Sequence, residues 1–198
     1  MTQPAIGLIE LRSLARGVIT LDGMIKKAPI TVLEARTTST GKFIILITAQ
    51  VAEVEESFNE GVAIAGEHLL DKLFLPQIHT QIIPIINGKA PAPPEESIGV
   101  LECRTIAATL LSADAALKAG EVNLMEFRFR AQMGGKGFYS LTGPLDQVEA
   151  AIEAGERIVS PDVFLQSEII PLPDVETWRW IQMNTRGHAE KLRGFIED

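Results

Sequence analysis

The chain has 198 residues, of which 46% are hydrophobic and 22% are charged, and Asp and Glu outnumber Lys and Arg by 26 to 18. Such a composition is typical of a globular protein with enough apolar residues for one large core or two small ones. The net charge of -8 argues against nucleic acid as a partner, because a general binder needs excess basic residues to neutralise phosphates. An anionic membrane is disfavoured for the same reason.

The first predicted elements are a strand and a helix. Residues 5–12 are apolar with a charged end, as in a strand that is buried on at least one face. Ser13 is a typical helix cap. Four apolar residues then recur at helical spacing, which aligns them on one face of a helix that ends near Pro29. They are Leu14, Val18, Leu21 and Ile25.

A β-hairpin and a second helix are predicted next. Residues 30–37 and 43–49 flank a turn that contains Gly-Lys. The second helix has one apolar stripe, formed by Val51, Val54, Phe58, Val62 and Ala65. Its glutamates face water, and we interpret them as a solvated helix face rather than as paired catalytic carboxylates. An apolar segment interrupted by prolines, residues 73–86, closes this part of the chain.

Residues 87–96 are rich in proline and glycine, Asn-Gly-Lys-Ala-Pro-Ala-Pro-Pro-Glu-Glu. Such a stretch disfavours regular structure and suits an exposed linker. We therefore expect a first domain at residues 1–90, a second domain at residues 97–185 and a C-terminal tail at residues 186–198.

The second half of the chain repeats the first. Residues 6–36 align without gaps on residues 98–128, and residues 41–64 align on residues 135–158 after an insertion of two residues. Sixteen of these 55 pairs are identical, against roughly three or four expected from composition. The pairs include Glu10/Glu102, Asp22/Asp114, Lys26/Lys118, Arg36/Arg128, Gly41/Gly135, Lys42/Lys136 and Gly61/Gly155. We interpret the chain as a duplication.

The second copy repeats the order of the predicted elements, with Thr105 as the helix cap. Each copy therefore has the order β-α-β-β-α-β. The predicted fold class is α+β, with two tandem ferredoxin-like domains, each a small antiparallel sheet with helices.

No apolar run reaches the length needed to cross a bilayer, and the first residues, Met-Thr-Gln-Pro-Ala, lack the pattern of a secretory signal. We therefore expect a cytoplasmic protein. The single cysteine, Cys103, has no second thiol with which to form a disulfide or a metal site.

The opening of each copy resembles the bacterial microcompartment shell domain. The matching words in the first copy are Ile6-Gly-Leu-Ile-Glu-Leu-Arg-Ser-Leu-Ala-Arg-Gly and Asp22-Gly-Met-Ile-Lys-Lys-Ala, and in the second Ile98-Gly-Val-Leu-Glu and Ala113-Asp-Ala-Ala-Leu-Lys-Ala-Gly. The turns Ser39-Thr-Gly-Lys-Phe and Gly134-Gly-Lys also look like those of the family. Two such domains match its tandem class, whose members form trimers with pseudo-sixfold symmetry.

The resemblance implies a structural shell protein rather than an enzyme. Its trimer would form a pseudo-hexameric tile with a central pore for small metabolites, among the hexameric and pentameric shell proteins of the same compartment. The turn of each hairpin lines the pore in this family. The matching residues are Thr38, Ser39, Thr40 and Gly41 in the first copy and Gln132, Met133, Gly134 and Gly135 in the second. Considered without the family, Gly41 and Gly135 are explained by turn geometry alone.

Lys26 and Lys118 match a lysine that lies at the edge of the tile in this family and packs against the neighbouring tile. The alternative, for either residue taken singly, is a lysine that the helix dipole favours near the C-terminal end of a helix. The presence of both lysines at one repeat position favours the edge role.

No cofactor and no metal site are expected. A tandem relative of propanediol-utilising compartments holds an iron–sulfur cluster through a cysteine in a Cys-Pro-Gly-Lys turn, where this chain has Ser39-Thr-Gly-Lys. A serine hydroxyl is a poor substitute for a thiolate ligand. Cys103 lies on a predicted strand away from the turn, and we expect it to be a packed core residue.

Enzyme motifs are lacking. Arg36 and Phe43 occupy positions that a nucleotide-binding loop reserves for glycine and for serine or threonine, and the three histidines have no metal-ligand spacing. The remaining alternative is a regulatory protein that senses a metabolite between its two ferredoxin-like domains.

Overall fold

The computed structural model describes residues 4–38, 41–89, 95–129 and 135–177 of the chain. In the first domain, two helices pack on a four-stranded antiparallel sheet. Its elements are β1 (Ala5–Leu11), α1 (Leu14–Lys27), β2 (Thr31–Thr37), β3 (Phe43–Ala49), α2 (Val51–Ala65) and β4 (Leu69–Leu75), with a 3₁₀ turn at Gly66–His68 and a short helix α3 (Ile82–Ile86) after β4.

The second domain repeats this plan. Its elements are β5 (Ser97–Cys103), α4 (Ile106–Ala119), β6 (Asn123–Arg128), β7 (Gly137–Gly143), α5 (Leu145–Ile158) and β8 (Phe164–Pro171). The strand order is β2-β3-β1-β4 in the first sheet and β6-β7-β5-β8 in the second, so the two orders are the same. The predicted α+β fold with two tandem ferredoxin-like domains is confirmed.

Both predicted caps begin the first helix of their domain. Ser13 Oγ accepts a hydrogen bond from Arg16 N–H at 3.3 Å, and Thr105 Oγ1 accepts one from Ala108 N–H at 3.1 Å. Each hydroxyl satisfies an N–H group that has no partner inside its helix. Helix α1 ends at Lys27, next to the predicted end at Pro29.

The apolar segment predicted at residues 73–86 is divided into two elements. Strand β4 begins earlier, at Leu69, and α3 follows after Pro76. Gln81, just before α3, accepts a hydrogen bond from Leu124 N–H at 2.7 Å and donates one to Val122 O at 3.0 Å. These bonds and the packing of α3 on β6 attach the end of the first copy to the edge of the second sheet.

One face of the first sheet packs on its own two helices. Successive strand residues point to opposite faces, and Ile9, Leu11, Ile45 and Ile47 lie on the face that meets α1 and α2. Met24 is the large apolar residue that α1 contributes to this cluster. All five side chains are fully buried.

The other face of the first sheet is covered by the second domain. Ile6, Leu8, Ile44 and Leu46 lie on this outer face and belong to the same buried cluster as the apolar residues of α4. Helix α4 packs directly on β1 and β4. The first sheet is therefore the middle layer between its own helices and a helix of the second domain.

Cys103 lies at the end of β5 and is fully buried, so the expectation of a packed core residue is confirmed. Burial raises the pKa of its thiol to about 11. The middle of the predicted linker, residues 90–94, and the predicted tail at residues 186–198 lie outside the described residues.

Candidate pore turns and assembly surfaces

The turn between β2 and β3 contains two of the four pore residues predicted in the first copy. Thr38 N–H donates to Lys42 O at 2.8 Å, and Gly41 N–H donates to Thr38 O at 3.0 Å. Gly41 has a φ of 76°, which only glycine adopts at little cost. Thr38 is buried and Gly41 is exposed. Ser39 and Thr40 lie outside the described residues.

The turn between β6 and β7 has one described pore residue, Gly135. Its φ of 81° matches that of Gly41 at the equivalent repeat position. The two glycines therefore meet the same requirement for a left-handed backbone in the two hairpins. The other predicted residues, Gln132, Met133 and Gly134, lie outside the described residues. Turn geometry thus explains both glycines, and their pore role stays a prediction.

The two predicted edge lysines lie at the ends of α1 and α4, and each forms an i,i+4 ion pair. Lys26 Nζ lies 2.6 Å from Asp22 Oδ2, and Lys118 Nζ lies 2.6 Å from Asp114 Oδ2. Lys118 also donates to Gln77 O of the first domain at 2.6 Å. The side chains are 72% and 44% exposed, respectively, so both remain accessible to another molecule. Their edge role stays a prediction.

A buried carboxylate links the two domains at the start of α4. Glu10 on β1 is fully buried, and its Oε1 accepts hydrogen bonds from Ile106 N–H at 2.9 Å and Ala107 N–H at 3.0 Å. Its Oε2 lies 3.8 Å from Lys42 Nζ. A negative charge is favourable at the N-terminus of a helix, where the first N–H groups have no partner within the helix. Glu10 thus fixes α4 on the outer face of the first sheet.

A second polar contact between the domains involves Arg36 on β2. Its Nη2 donates to Phe129 O at 3.2 Å, and the guanidinium lies 5.4 Å from the centre of the Phe129 ring. Glu34 Oε2 accepts from Arg36 Nε at 3.0 Å. Together with Glu10, this arginine makes the domain junction a specific contact with hydrogen bonds at defined positions, and not only an apolar one.

An open cleft lies at the same junction, lined by His79, Gln81, Lys118, Asn123 and Gln147 among others. All five side chains already make hydrogen bonds within the chain: Gln81 with Val122 and Leu124, Lys118 with Gln77 and Asp114, His79 with Gln81 N–H, Asn123 with Glu95, and Gln147 with Glu121 N–H. Across the described ranges, no cluster of three His, Cys, Asp or Glu side chains is placed to hold a metal ion. No helix in the described part of the chain has the length and apolar character of a membrane span.

Sequence reasoning identified the turns and the lysines but gave no role to Glu10 or Arg36. Both residues are identical in the two copies, as Glu102 and Arg128. For Glu10 the signal was a charged residue within an otherwise apolar strand, repeated at the same position of the second copy. The role of Glu10 is visible only in the fold, because its partner Ile106 lies 96 residues later in the sequence.

Two curated relatives align over most of this chain. The bacterial microcompartment shell protein PduT of Citrobacter freundii is 32% identical over 176 residues, which cover 88% of this chain and 96% of the relative. The carboxysome assembly protein CcmO of Synechocystis sp. is 28% identical over 173 residues, 76% of this chain and 55% of the relative.

Two solved structures share the fold. A microcompartment protein from Desulfitobacterium hafniense DCB superimposes with a TM-score of 0.83 at 35% identity, covering 90% of this chain and 99% of that one. A fused permuted hexameric shell protein from the RMM microcompartment gives a TM-score of 0.60 at 20% identity, covering 78% and 83%. The sequence model of the BMC domain family matches residues 5–78 and again residues 97–173. There is one match for each of the two sheets and its helices. The chain therefore belongs to the BMC domain family and carries that domain twice.

Proposed function

We propose that this chain is a non-catalytic structural component of a bacterial microcompartment shell, in which three copies form one pseudo-hexameric tile. The observation that carries the proposal is the second BMC domain, which has the same strand order as the first. Two equivalent domains in each chain allow three chains to supply six domains around one axis. The shell role is that of PduT, a relative over almost its entire length.

A pore at the centre of the tile is the second part of the proposal. Three copies would place six hairpin turns around the axis, three from each kind of domain. The proposed lining residues are Thr38, Ser39, Thr40, Gly41, Gln132, Met133, Gly134 and Gly135. Hydroxyls, an amide and backbone N–H groups can replace part of the hydration of a small polar metabolite, and a rim without fixed charge does not trap it.

The proposed partners are other copies of this chain and the hexameric and pentameric shell proteins of the same compartment. Lys26 and Lys118 are the proposed edge contacts. Lys26 is the better residue for a test, because Lys118 also donates to Gln77 O within its own chain. Lys27 is the matched control, since it is also exposed on the last turn of α1 but has Ala119 as its counterpart in the second copy.

Light scattering and electron microscopy of the purified protein, alone and with hexameric shell proteins, test the assembly. We expect wild-type trimers that join into sheets or closed particles. Lys26→Ala is expected to retain the trimer but to form few sheets, whereas Lys27→Ala should assemble as wild type does. A monomer that forms no sheets in any mixture would contradict the shell proposal and favour the alternative, a regulatory protein that senses a metabolite. Normal sheets from Lys26→Ala would contradict only the edge role.

Metabolite flux into intact shells tests the pore. Ser39→Trp adds a bulky side chain to three of the six turns, and we expect it to slow the uptake of a small polar solute by at least severalfold. Glu67→Trp is the control, because this side chain is 90% exposed in the turn between α2 and β4. Equal flux through both variants would show that these turns do not form the route.

A further inference from the structure

A small groove lies between the C-terminal ends of α4 and α5 in the second domain. Its volume is about 230 Å³, enough for one large apolar side chain. Four of the residues that line it are apolar and two are cations. They are Ala115, Lys118, Ala119, Ala154, Arg157 and Ile158.

The first domain fills the equivalent position between α1 and α2 with its own side chains. Ile64 packs directly on Gly23, where an added Cβ would lie 2.2 Å from Ile64 Cδ1. Lys27 Nζ of α1 lies 4.0 Å from Glu60 Oε2 of α2, so this ion pair connects the two helices. The contacts of α1 with α2 therefore include both an apolar and a charged pair at this end.

The second domain has replaced both contacts. Ala115 is the counterpart of the glycine, and its methyl group takes the space into which the isoleucine of the first domain packs. The counterpart of that isoleucine, Ile158, is 49% exposed. Two alanines, Ala119 and Ala154, occupy the positions of the ion pair. The groove is thus the direct result of three substitutions between the copies, and it exposes apolar surface.

The two cations beside the groove differ in their partners. The ammonium of Lys118 already binds Asp114 Oδ2 and Gln77 O, both at 2.6 Å. Arg157 is exposed on the last turn of α5 and makes no hydrogen bond or ion pair with any described residue. Its guanidinium can therefore bind a carboxylate at the rim of an apolar groove.

The groove fits a segment with a large apolar side chain close to a carboxylate, and the chain contains one. Outside the described ranges, residues 1–3, 39–40, 90–94 and 130–134 contain no Asp or Glu. Residues 195–198 read Phe-Ile-Glu-Asp, two large apolar residues followed directly by two acidic ones. The other carboxylate of residues 178–198, Glu190, is followed directly by Lys191, which would oppose its pairing with a guanidinium.

The length of the chain allows this segment to reach the groove. Strand β8 begins six residues after the end of α5 and runs for eight residues, a length of about 26 Å. The 17 residues at 178–194 can span up to about 56 Å when extended. Residues 195–198 can therefore return from the end of β8 to the end of α5 within one chain.

We propose that residues 195–198 bind this groove in the same chain, with the Phe195 ring between Ala119 and Ala154 and the Glu197 carboxylate paired with Arg157. In an extended segment, residues two apart face the same side, so Phe195 and Glu197 can make these contacts together. The segment would lie beside Lys118 and give the two proposed edge lysines different surroundings. That consequence rests on the proposed edge role, whereas the docking does not.

Pairs of introduced cysteines in the full chain test the position of the segment. Ala119→Cys with Ile196→Cys should form an intramolecular disulfide at least tenfold faster than Lys27→Cys with Ile196→Cys, because a disulfide needs Cβ atoms about 4 Å apart. Lys27 is the matched control, as the counterpart of Ala119 in the first domain. The native Cys103 is fully buried and should not compete. Non-reducing electrophoresis and peptide mass measure the rates.

Hydrogen exchange at the Phe195 and Ile196 amides tests the contacts. Ala119→Lys with Ala154→Glu recreates the ion pair of the first domain in the groove, and we expect exchange at least fivefold faster than in the wild type. Arg157→Glu and Glu197→Arg should each accelerate exchange, and the two together should restore much of the protection. Arg12→Glu reverses an exposed charge of the first domain and should change nothing.

The outcomes decide the docking independently of the shell proposal, which depends on trimers and sheets. Equal trapping rates for the two cysteine pairs would overturn the docking, and so would wild-type exchange as fast as that of the filled groove. A disulfide that forms only between chains would overturn docking within one chain. If Ala119→Lys with Ala154→Glu fails to fold, the charge exchange between Arg157 and Glu197 decides, and a double variant without restored protection overturns the pairing.

Discussion

The first and second domains share one backbone plan but differ at the contact between the first helix and a central strand. In the first domain the glycine of this contact lies on the helix, and in the second domain it lies on the strand. In the first domain, a Cβ added at Gly17 of α1 would lie 2.3 Å from a ring carbon of Phe43. In the second, a Cβ added at Gly137 of β7 would lie 2.5 Å from Thr109 Oγ1 on α4. Gly17 and Thr109 are repeat partners, as are Phe43 and Gly137. The larger side chain of the pair therefore lies on the strand in the first domain and on the helix in the second.

The buried hydroxyls that join the two helices of each domain differ in the same way. Ser57 of α2 donates to Met24 O of α1 at 2.9 Å. In the second domain the donor is on the first helix, where Ser112 Oγ lies 2.9 Å from Gly155 O and 2.9 Å from Tyr139 Oη. What the two copies preserve is therefore the packed volume and the satisfied hydrogen bond, while the residue that supplies each one has changed.

The largest effect is expected from exchanging one member of the helix–strand pair. Gly17→Thr puts the helix residue of the second domain against Phe43, and the overpacking should lower the free energy of unfolding by roughly 3 kcal/mol. Phe43→Gly alone leaves a cavity and should cost about as much. The double variant recreates the pairing of the second domain, so its loss should be smaller than the sum by about 1 kcal/mol or more. Urea unfolding of the four proteins measures this coupling.

Strictly additive losses in that cycle would mean that the sizes of the side chains at Gly17 and Phe43 do not constrain one another. The difference between the two domains at this contact would then have no packing explanation. Gly137→Phe in the second domain provides the reciprocal test, since its ring would meet Thr109. Thr109→Gly is expected to restore part of the stability lost in Gly137→Phe. The two cycles together establish whether each domain pairs one large and one small residue at this helix–strand contact for reasons of packing.

Local pattern predicted most of the fold, because strands, turns and caps depend on neighbours in sequence. The caps at Ser13 and Thr105 and both hairpins follow from such patterns. The face that α1 buries does not follow from the local pattern. Its apolar stripe, which includes Leu14 and Val18, is half exposed, and the helix packs through Gly17 instead because the ring of Phe43 lies over it.

The candidate site was predictable only where it depends on one copy of the chain. The left-handed backbone of Gly41 and Gly135 agrees with the turn chemistry that the motif predicts. The role of Glu10 was not predictable from spacing, because its partner helix comes 96 residues later. A pore or a tile edge is formed by several copies, so the roles of Ser39 and Lys26 depend on surfaces that one chain does not contain.

The repeated glutamate offers a smaller but more specific comparison between the copies, since Glu10 is buried and Glu102 is partly exposed. Burial raises the pKa of Glu10 above its ordinary value of 4.5. The N–H groups of α4 and the Lys42 ammonium oppose the rise, and the nearby Asp71 carboxylate adds to it. The folded protein therefore binds more protons than the unfolded chain between the ordinary pKa and the raised one.

That difference fixes the sign of a pH dependence. The stabilisation linked to protonated Glu10 is fully present below pH 4.5 and is lost as the pH rises through the pKa of the folded state, by up to about 1.4 kcal/mol per pH unit. Glu10→Gln cannot ionise but keeps an acceptor for α4, so its unfolding free energy should lack this decline. Glu55→Gln, exposed on α2, should retain it. Parallel pH profiles for wild type and Glu10→Gln, measured by urea unfolding, would contradict the raised pKa and would mean that the N–H groups of α4 and the Lys42 ammonium offset the burial of this carboxylate completely.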